Sequence, residues 1–226
     1  MKLIIILVLF LIVTPFIFFQ YFLNSGPRDL GVKYTSQNYT DAHQKMGVEV
    51  SKIESATSPK DSLVYTGKKE INISLDSAEI TAYLNAENWQ YAPLSNIQIK
   101  VNSDGTAQAT GVINLNNVLP FISMTTPVDE VNKAIAKFKI TNNPPFYASG
   151  KVTVTNNQVM FNVNSLEIGK IPVPANYVSE NLNSLNKFAT DRLNAVPNLS
   201  VRSLTLADGK ANLDATVPEK VLKLVK

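Results

Sequence analysis

Three stretches of the chain alternate apolar and polar residues, turn, and alternate back. Ile97, Ile99 and Val101 lead to Asp104-Gly105 and return through Ala107, Ala109, Gly111, Ile113 and Leu115. Phe146, Ala148, Gly150, Val152 and Val154 lead to Asn156-Asn157 and return through Val159, Phe161 and Val163. Leu199 and Val201, then Leu204 and Leu206, lead to Asp208-Gly209 and return through Ala211, Leu213, Ala215 and Val217. A period of two with one apolar side belongs to half-buried antiparallel hairpins, and Asp104-Gly105 predicts a two-residue type I′ turn. The apolar phase slips by one residue at Asn164-Ser165 and at Arg202-Ser203. Each slip predicts a β-bulge that bends its strand, because one extra residue exchanges the two faces.

Helical signals lie between the hairpins. Asp76 and Glu79 stand at capping-box spacing with Leu75 and Ile80 as a staple, so a helix begins at Ser77, with Ile80, Tyr83 and Leu84 expected as its buried stripe. Thr126-Pro127-Val128-Asp129 opens a second helix running to about Lys139. The longest spans about Tyr177 to Asn194, with Val178, Leu182, Leu185, Phe188, Ala189 and Leu193 on one face and charged or amide residues, Arg192 among them, on the other. Leu84-Asn85-Ala86 and Leu193-Asn194-Ala195 each close a helix before a short loop and an Asp-Gly hairpin, which predicts a helix-hairpin structural repeat. The expected fold is α+β, a curved antiparallel sheet of about six strands packed on helices.

From Leu3 to Leu23 the chain carries no charge. Twenty-one residues make about 31 Å of helix, enough to cross a bilayer core. Phe18 to Leu23 offers none of the small residues of a signal-peptide cleavage site, so an uncleaved transmembrane anchor is expected. Lys2 is nearly balanced by Arg28 and Lys33; a polar domain directly after the run favours an extracytoplasmic placement, on a single-pass protein of the cell membrane. The expected division is an anchor at 1–24, a juxtamembrane stalk at 25–68 with one short helix carrying Tyr39, Ala42 and Met46 and ended by Gly47, and the α+β domain at 69–226.

Several function classes fall away on composition. The chain has no Cys and one His, which removes disulfides, thiol nucleophiles and Cys- or His-based metal centres. Beyond Lys2 there are 20 basic and 18 acidic side chains, too even a balance for a nucleic-acid partner held by a basic field. His43 reads as a surface residue, and Asp129-Glu130 as helix-dipole acids. Single carboxylates at the Asp-Gly turns lack calcium-loop spacing, and Trp89 and Tyr91 read as core capping. No nucleophile–base pair, cofactor motif or metal set emerges, so an enzyme is not expected.

What stands out is the size of the inward sheet residues: Ala107, Ala109, Gly111, Ala148, Gly150, Ala211 and Ala215. Either a helix lies close on them or they floor an apolar groove. The candidate groove is Ala107, Ala109, Gly111, Ala148 and Gly150 facing Leu182, Leu185 and Phe188. A bulky change such as Gly150→Leu is then expected to expel a ligand.

The run Leu75–Asn85 and the segment Val163–Pro174, together with the anchor, resemble uncharacterised single-pass bacterial envelope proteins. More loosely, residues 70–217 resemble the helix-and-curved-sheet domains of the tubular lipid-binding group. That resemblance implies a fold and a lipid or other apolar ligand, and it brings no catalytic residue. Two readings compete. One is a membrane-anchored extracytoplasmic binding module without cofactor, its partners the membrane through residues 3–23 and a lipid. The other is a ligand-free structural component that meets an envelope protein.

Overall fold

The computed structural model describes residues 26–86, 88–124 and 143–226. The run Leu3–Leu23 and the helix expected at 126–139 lie outside them. Among the described residues no helix is long and apolar enough to cross a membrane. The order is α1 (Ser36–Met46), β1 (Glu49–Ile53), β2 (Leu63–Thr66), β3 (Lys69–Asp76), α2 (Ser77–Ala86), β4 (Leu94–Val101), β5 (Ala107–Ile113), α3 (Leu115–Ser123), β6 (Pro145–Thr155), β7 (Gln158–Ile168), β8 (Ile171–Pro172), α4 (Ala175–Asn194), β9 (Ser200–Ala207), β10 (Lys210–Val217) and β11 (Lys220–Leu224). The chain is α+β, with curved sheets and four helices among the described residues.

The main sheet has eight strands rather than about six, in the order β3-β10-β9-β6-β5-β4, with β7 on the other side of β6 and β8 beyond it. β6 is the spine. Its first half pairs β5, from Pro145 opposite Val112 to Gly150 opposite Ala107, and its end pairs β9 through Val154 and Thr155. Two hairpins therefore abut end to end along one edge of a single long strand. The expected bulges are present: Asn164 is the extra residue between Val163 and Ser165 opposite Gly150 and Ser149. Arg202 is the extra residue opposite Asp214 and Ala215.

Turn chemistry separates the hairpins. Asn156-Asn157 and Asp208-Gly209 have positive φ at both residues, as a type I′ turn requires. At Asp104-Gly105 only the glycine is positive, at 77°. Asn102 N–H donates to Thr106 O at 2.8 Å, so three residues lie within the loop instead of the expected two. Asp104 Oδ1 accepts from Thr106 N–H at 2.9 Å, an Asx-type turn that holds the aspartate outside the left-handed region.

α2 begins as its sequence predicts, with Asp76 N–H donating to Glu79 Oε2 and Glu79 N–H donating to Asp76 Oδ1. Its buried face is not the expected one. Thr81 and Ala82 are buried, Ile80 and Tyr83 half-buried, and Leu84 exposed. The cause is the open edge of β4. Val101 N–H donates to Ser77 Oγ at 2.9 Å, Ile99 N–H to Thr81 Oγ1 at 2.9 Å, and Ile97 N–H to Asn85 Oδ1 at 2.9 Å. Thr81 and Asn85 return hydrogen bonds to the Ile99 and Ile97 carbonyls. Four helical residues rise about 6.0 Å and two strand residues about 6.7 Å, so polar side chains at every fourth helix position meet alternate edge amides.

α4 repeats the device on β7. Val159 N–H donates to Thr190 Oγ1 and Phe161 N–H to Asn186 Oδ1, both at 3.0 Å, and Asn194 Oδ1 accepts from Asn157 Nδ2. Asn85 and Asn194, the centres of the two Leu-Asn-Ala tripeptides, both end such rows. The helix-hairpin order does recur. The packing differs, since α2 serves the strand that follows it and α4 serves the hairpin that precedes it.

The apolar inner face carries two buried clusters. One gathers Ile71, Val154, Val159, Val201, Ala215 and Val217 with Val48, beneath Ala189 and Leu193 of α4 and Val221 of β11. The other gathers Ile113, Ile168, Val173 and Val178 with Phe146 and Leu166. Two strands, β1 and β2, lie within the segment expected to be a stalk. β1 runs parallel to β11 from Glu49 opposite Lys220 to Ile53 opposite Leu224, and β2 pairs the other side of β11. α1 joins α2 through the Lys45–Glu79 ion pair and the Tyr39–Tyr83 stack.

On the outer face the bulged Arg202 pairs with Asp214 and Glu70. Thr216 and Arg202 hold the Glu70 carboxyl below its ordinary value, and Arg202 does the same for Asp214. A carboxylate depressed in the folded state stabilises the fold above its ordinary range and loses that contribution as pH falls. Arg202→Ala is therefore expected to flatten the acid limb of stability from about pH 5 downward to about pH 3, read as the Tm difference from the parent across a pH series. Thr81→Val, which strips the half-buried Ile99 amide of its acceptor, is expected to cost about 1–3 kcal/mol. Leu84→Ala should stay within about 0.5 kcal/mol, both read by denaturant titration of the single tryptophan, Trp89.

Candidate functional site

The inner face between the two clusters is built from β5 and β6. Ala107 stands opposite Gly150, and Ala109 opposite Ala148. On the β4 side Val101 pairs Ala107 and Ile99 pairs Ala109; on the β7 side Val163 pairs Gly150 and Leu166 pairs Ala148. The register thus sets Ala107, Ala109, Ala148 and Gly150 in one patch, whereas Ala211 and Ala215 lie apart from it on β10. Ala107, Ala109 and Ala148 are nevertheless only half-buried.

The two glycines have other reasons to be small. A Cβ on Gly111 would lie 2.9 Å from the Phe146 ring and 3.0 Å from Ser95 O, so that space is already filled. A Cβ on Gly150 would lie 2.1 Å from Asn162 O, at the bulge. Gly150→Leu would consequently break the β6–β7 pairing before it displaced anything from a groove, and the expectation attached to that substitution is corrected. The alanines are what remains of the open floor.

α4 packs along β7, and among the described contacts none joins its predicted residues to the alanines. Leu182, Leu185 and Phe188 are half-buried, and the Phe188 ring meets Phe121 of α3 edge-on at 6.4 Å. Phe121 meets Trp89 at 6.4 Å, and Trp89 meets Tyr91 at 6.0 Å. Trp89 is 7% exposed and donates its indole N–H to Ser62 Oγ at 2.9 Å, the position of a core residue. Together these rings form a continuous aromatic belt from the α2–β4 loop to α4.

Arg192 sits on that belt. Its guanidinium lies 4.5 Å from the Phe121 ring centroid, within cation–π range. Its Nε is buried without a hydrogen-bond partner, and among the described residues no carboxylate pairs with it. Burial pulls its pKa below the ordinary value, with Tyr65 opposing that shift. The sequence pattern predicts Arg192 on the polar face, and the structure instead places it against the Phe121 ring. Its spacing, four residues after Phe188 and seven after Leu185, was the signal that it continues the apolar stripe. A second concavity of about 240 Å³ opens between the three-stranded sheet and α2, where Tyr65, Tyr83 and Trp89 surround the nearly buried Lys223.

His43 stacks on Tyr39 at 5.6 Å, on a helix that offers it no second ligand. Among the described residues no cluster of three or more His, Asp or Glu is placed to hold a metal. Gly150→Ala is expected to lower Tm by several degrees or prevent folding, whereas Ala148→Gly, with no such clash to create, should lower it by a few degrees at most. Thermal denaturation of the two variants checks this. Compared with family models, with curated proteins and with solved structures, the chain matches none.

Proposed function

We propose that the chain is a single-pass membrane protein whose extracytoplasmic domain binds an acyl chain or comparable apolar ligand along the inner face of its main sheet, without catalysis. The observation that carries this reading is the alanine floor: Ala107, Ala109 and Ala148 lie between two closed hydrophobic clusters yet stay half-exposed. An apolar concavity bordered by aromatic rings and a few polar groups is the general form of a small-molecule site. The uncharged run Leu3–Leu23 supplies the tether and keeps the domain near a source of lipid. Arg192, cationic and without a carboxylate of its own among the described residues, favours a ligand with an anionic end.

The test is photocrosslinking of the full-length chain with a diazirine fatty acid, followed by peptide mapping. Adducts are expected on peptides of β5, β6 and α4. Ala109→Leu, which adds volume to the floor, is expected to reduce those adducts while leaving Tm within a few degrees of the parent. Adducts confined to residues 3–23 would show lipid around the anchor alone and would remove the binding reading.

A further inference from the structure

The segment that enters the domain is strapped across the outer face of the main sheet. The register sets Gln98, Thr110, Tyr147 and Glu167 side by side on β4, β5, β6 and β7. Gly26 to Val32 runs along this row. The Arg28 guanidinium makes two hydrogen bonds of 2.9 Å to the Glu167 carboxylate and lies 3.8 Å from the Tyr147 ring centroid. Leu30 is 8% exposed, and its N–H donates to Gln98 Oε1 at 2.8 Å, at the far end of the row. Asp29 Oδ1 accepts from Gly31 N–H at 2.8 Å and fixes the turn that follows.

This clamp begins almost where the uncharged run stops. Between Leu23 and Arg28 there are only Asn24, Ser25, Gly26 and Pro27. Five residue steps span at most about 18 Å, so the Arg28 Cα cannot lie farther than that from the end of the run, and Tyr147 and Glu167 lie one arginine side chain beyond it. The face has a matching charge. Lys33, Lys100, Lys151 and Lys170 are exposed on the strap or beside it; Glu167 is neutralised by Arg28, and the other nearby carboxylates are Asp29, Asp104 and Asp76, the last beside Lys33 and Lys100, so the cations keep a small excess.

We infer that the outer face of β4–β7, with the strap across it, is a docking surface for the bilayer itself, specifically for anionic lipid headgroups. The strap sets the domain's orientation, and the inner face with its alanine floor is turned away from the headgroups beneath the strap. The inference rests on the anchor reading given above.

The absence of cysteine allows clean single-site labelling. The full chain is reconstituted into phosphatidylcholine vesicles containing phosphatidylglycerol and a headgroup spin-labelled lipid. A fluorophore is placed at Lys100→Cys, at Lys151→Cys or at Glu54→Cys, the last beyond the three-stranded sheet, which packs on the inner face. The outer-face labels are expected to lose most of their emission to the quencher while the Glu54→Cys label keeps it. Arg28→Ala is expected to even out the contrast, and Glu167→Gln to do so in part. Vesicle-bound protein with equal quenching at all sites, or with stronger quenching at Glu54→Cys, overturns the orientation and leaves the anchor standing. Unchanged contrast in Arg28→Ala overturns the strap as its cause. Protein that fails to float with vesicles overturns the anchor and the orientation together.

Discussion

An open sheet edge carries backbone amides and carbonyls that must be paired, solvated or covered, and every other feature of this domain is arranged around how its edges are treated. β4 and β7 each meet a helix whose polar residues recur every fourth position. Ser77, Thr81 and Asn85 take the alternate amides of β4, and Asn186, Thr190 and Asn194 serve β7 and its turn. This fixes the helices along the strands with a defined register, which greasy contacts alone would not. It also holds α4 so that Phe188 and Arg192 meet the Phe121 ring.

The same device explains what could be seen in the sequence. Alternation, turn pairs and the two phase slips are local properties of a strand, so the three hairpins and both bulges were legible residue by residue. The α2 capping box was equally local. The identity of the buried helix face was not, because a threonine or asparagine that binds a strand's backbone looks, in sequence, like one facing water. Arg192 was misplaced for the same reason. Lost as well was the pairing of β1 and β2 with β11, since about 170 residues separate Glu49 from its partner Lys220 and nothing near either marks the other.

The small residues of the inner face need sorting by cause. Gly111 makes room for the Phe146 ring, and Gly150 lets the chain pass Asn162 O at the bulge. Neither is evidence of a ligand. The alanines stay half-exposed, and of the small residues they are the ones on which the proposed ligand site rests.

Finally, the parallel match of β1 with β11 closes the domain between segments near its two ends. In a chain made from its N-terminus, Val48 and its neighbours emerge long before Val221 can cover them. Until residues 220–224 follow, β1 and β2 stand as unpaired strands and the inner face lacks part of its cover. The assembly is thus one of high contact order, slow to complete, and its vulnerable interval is the time taken to finish the chain.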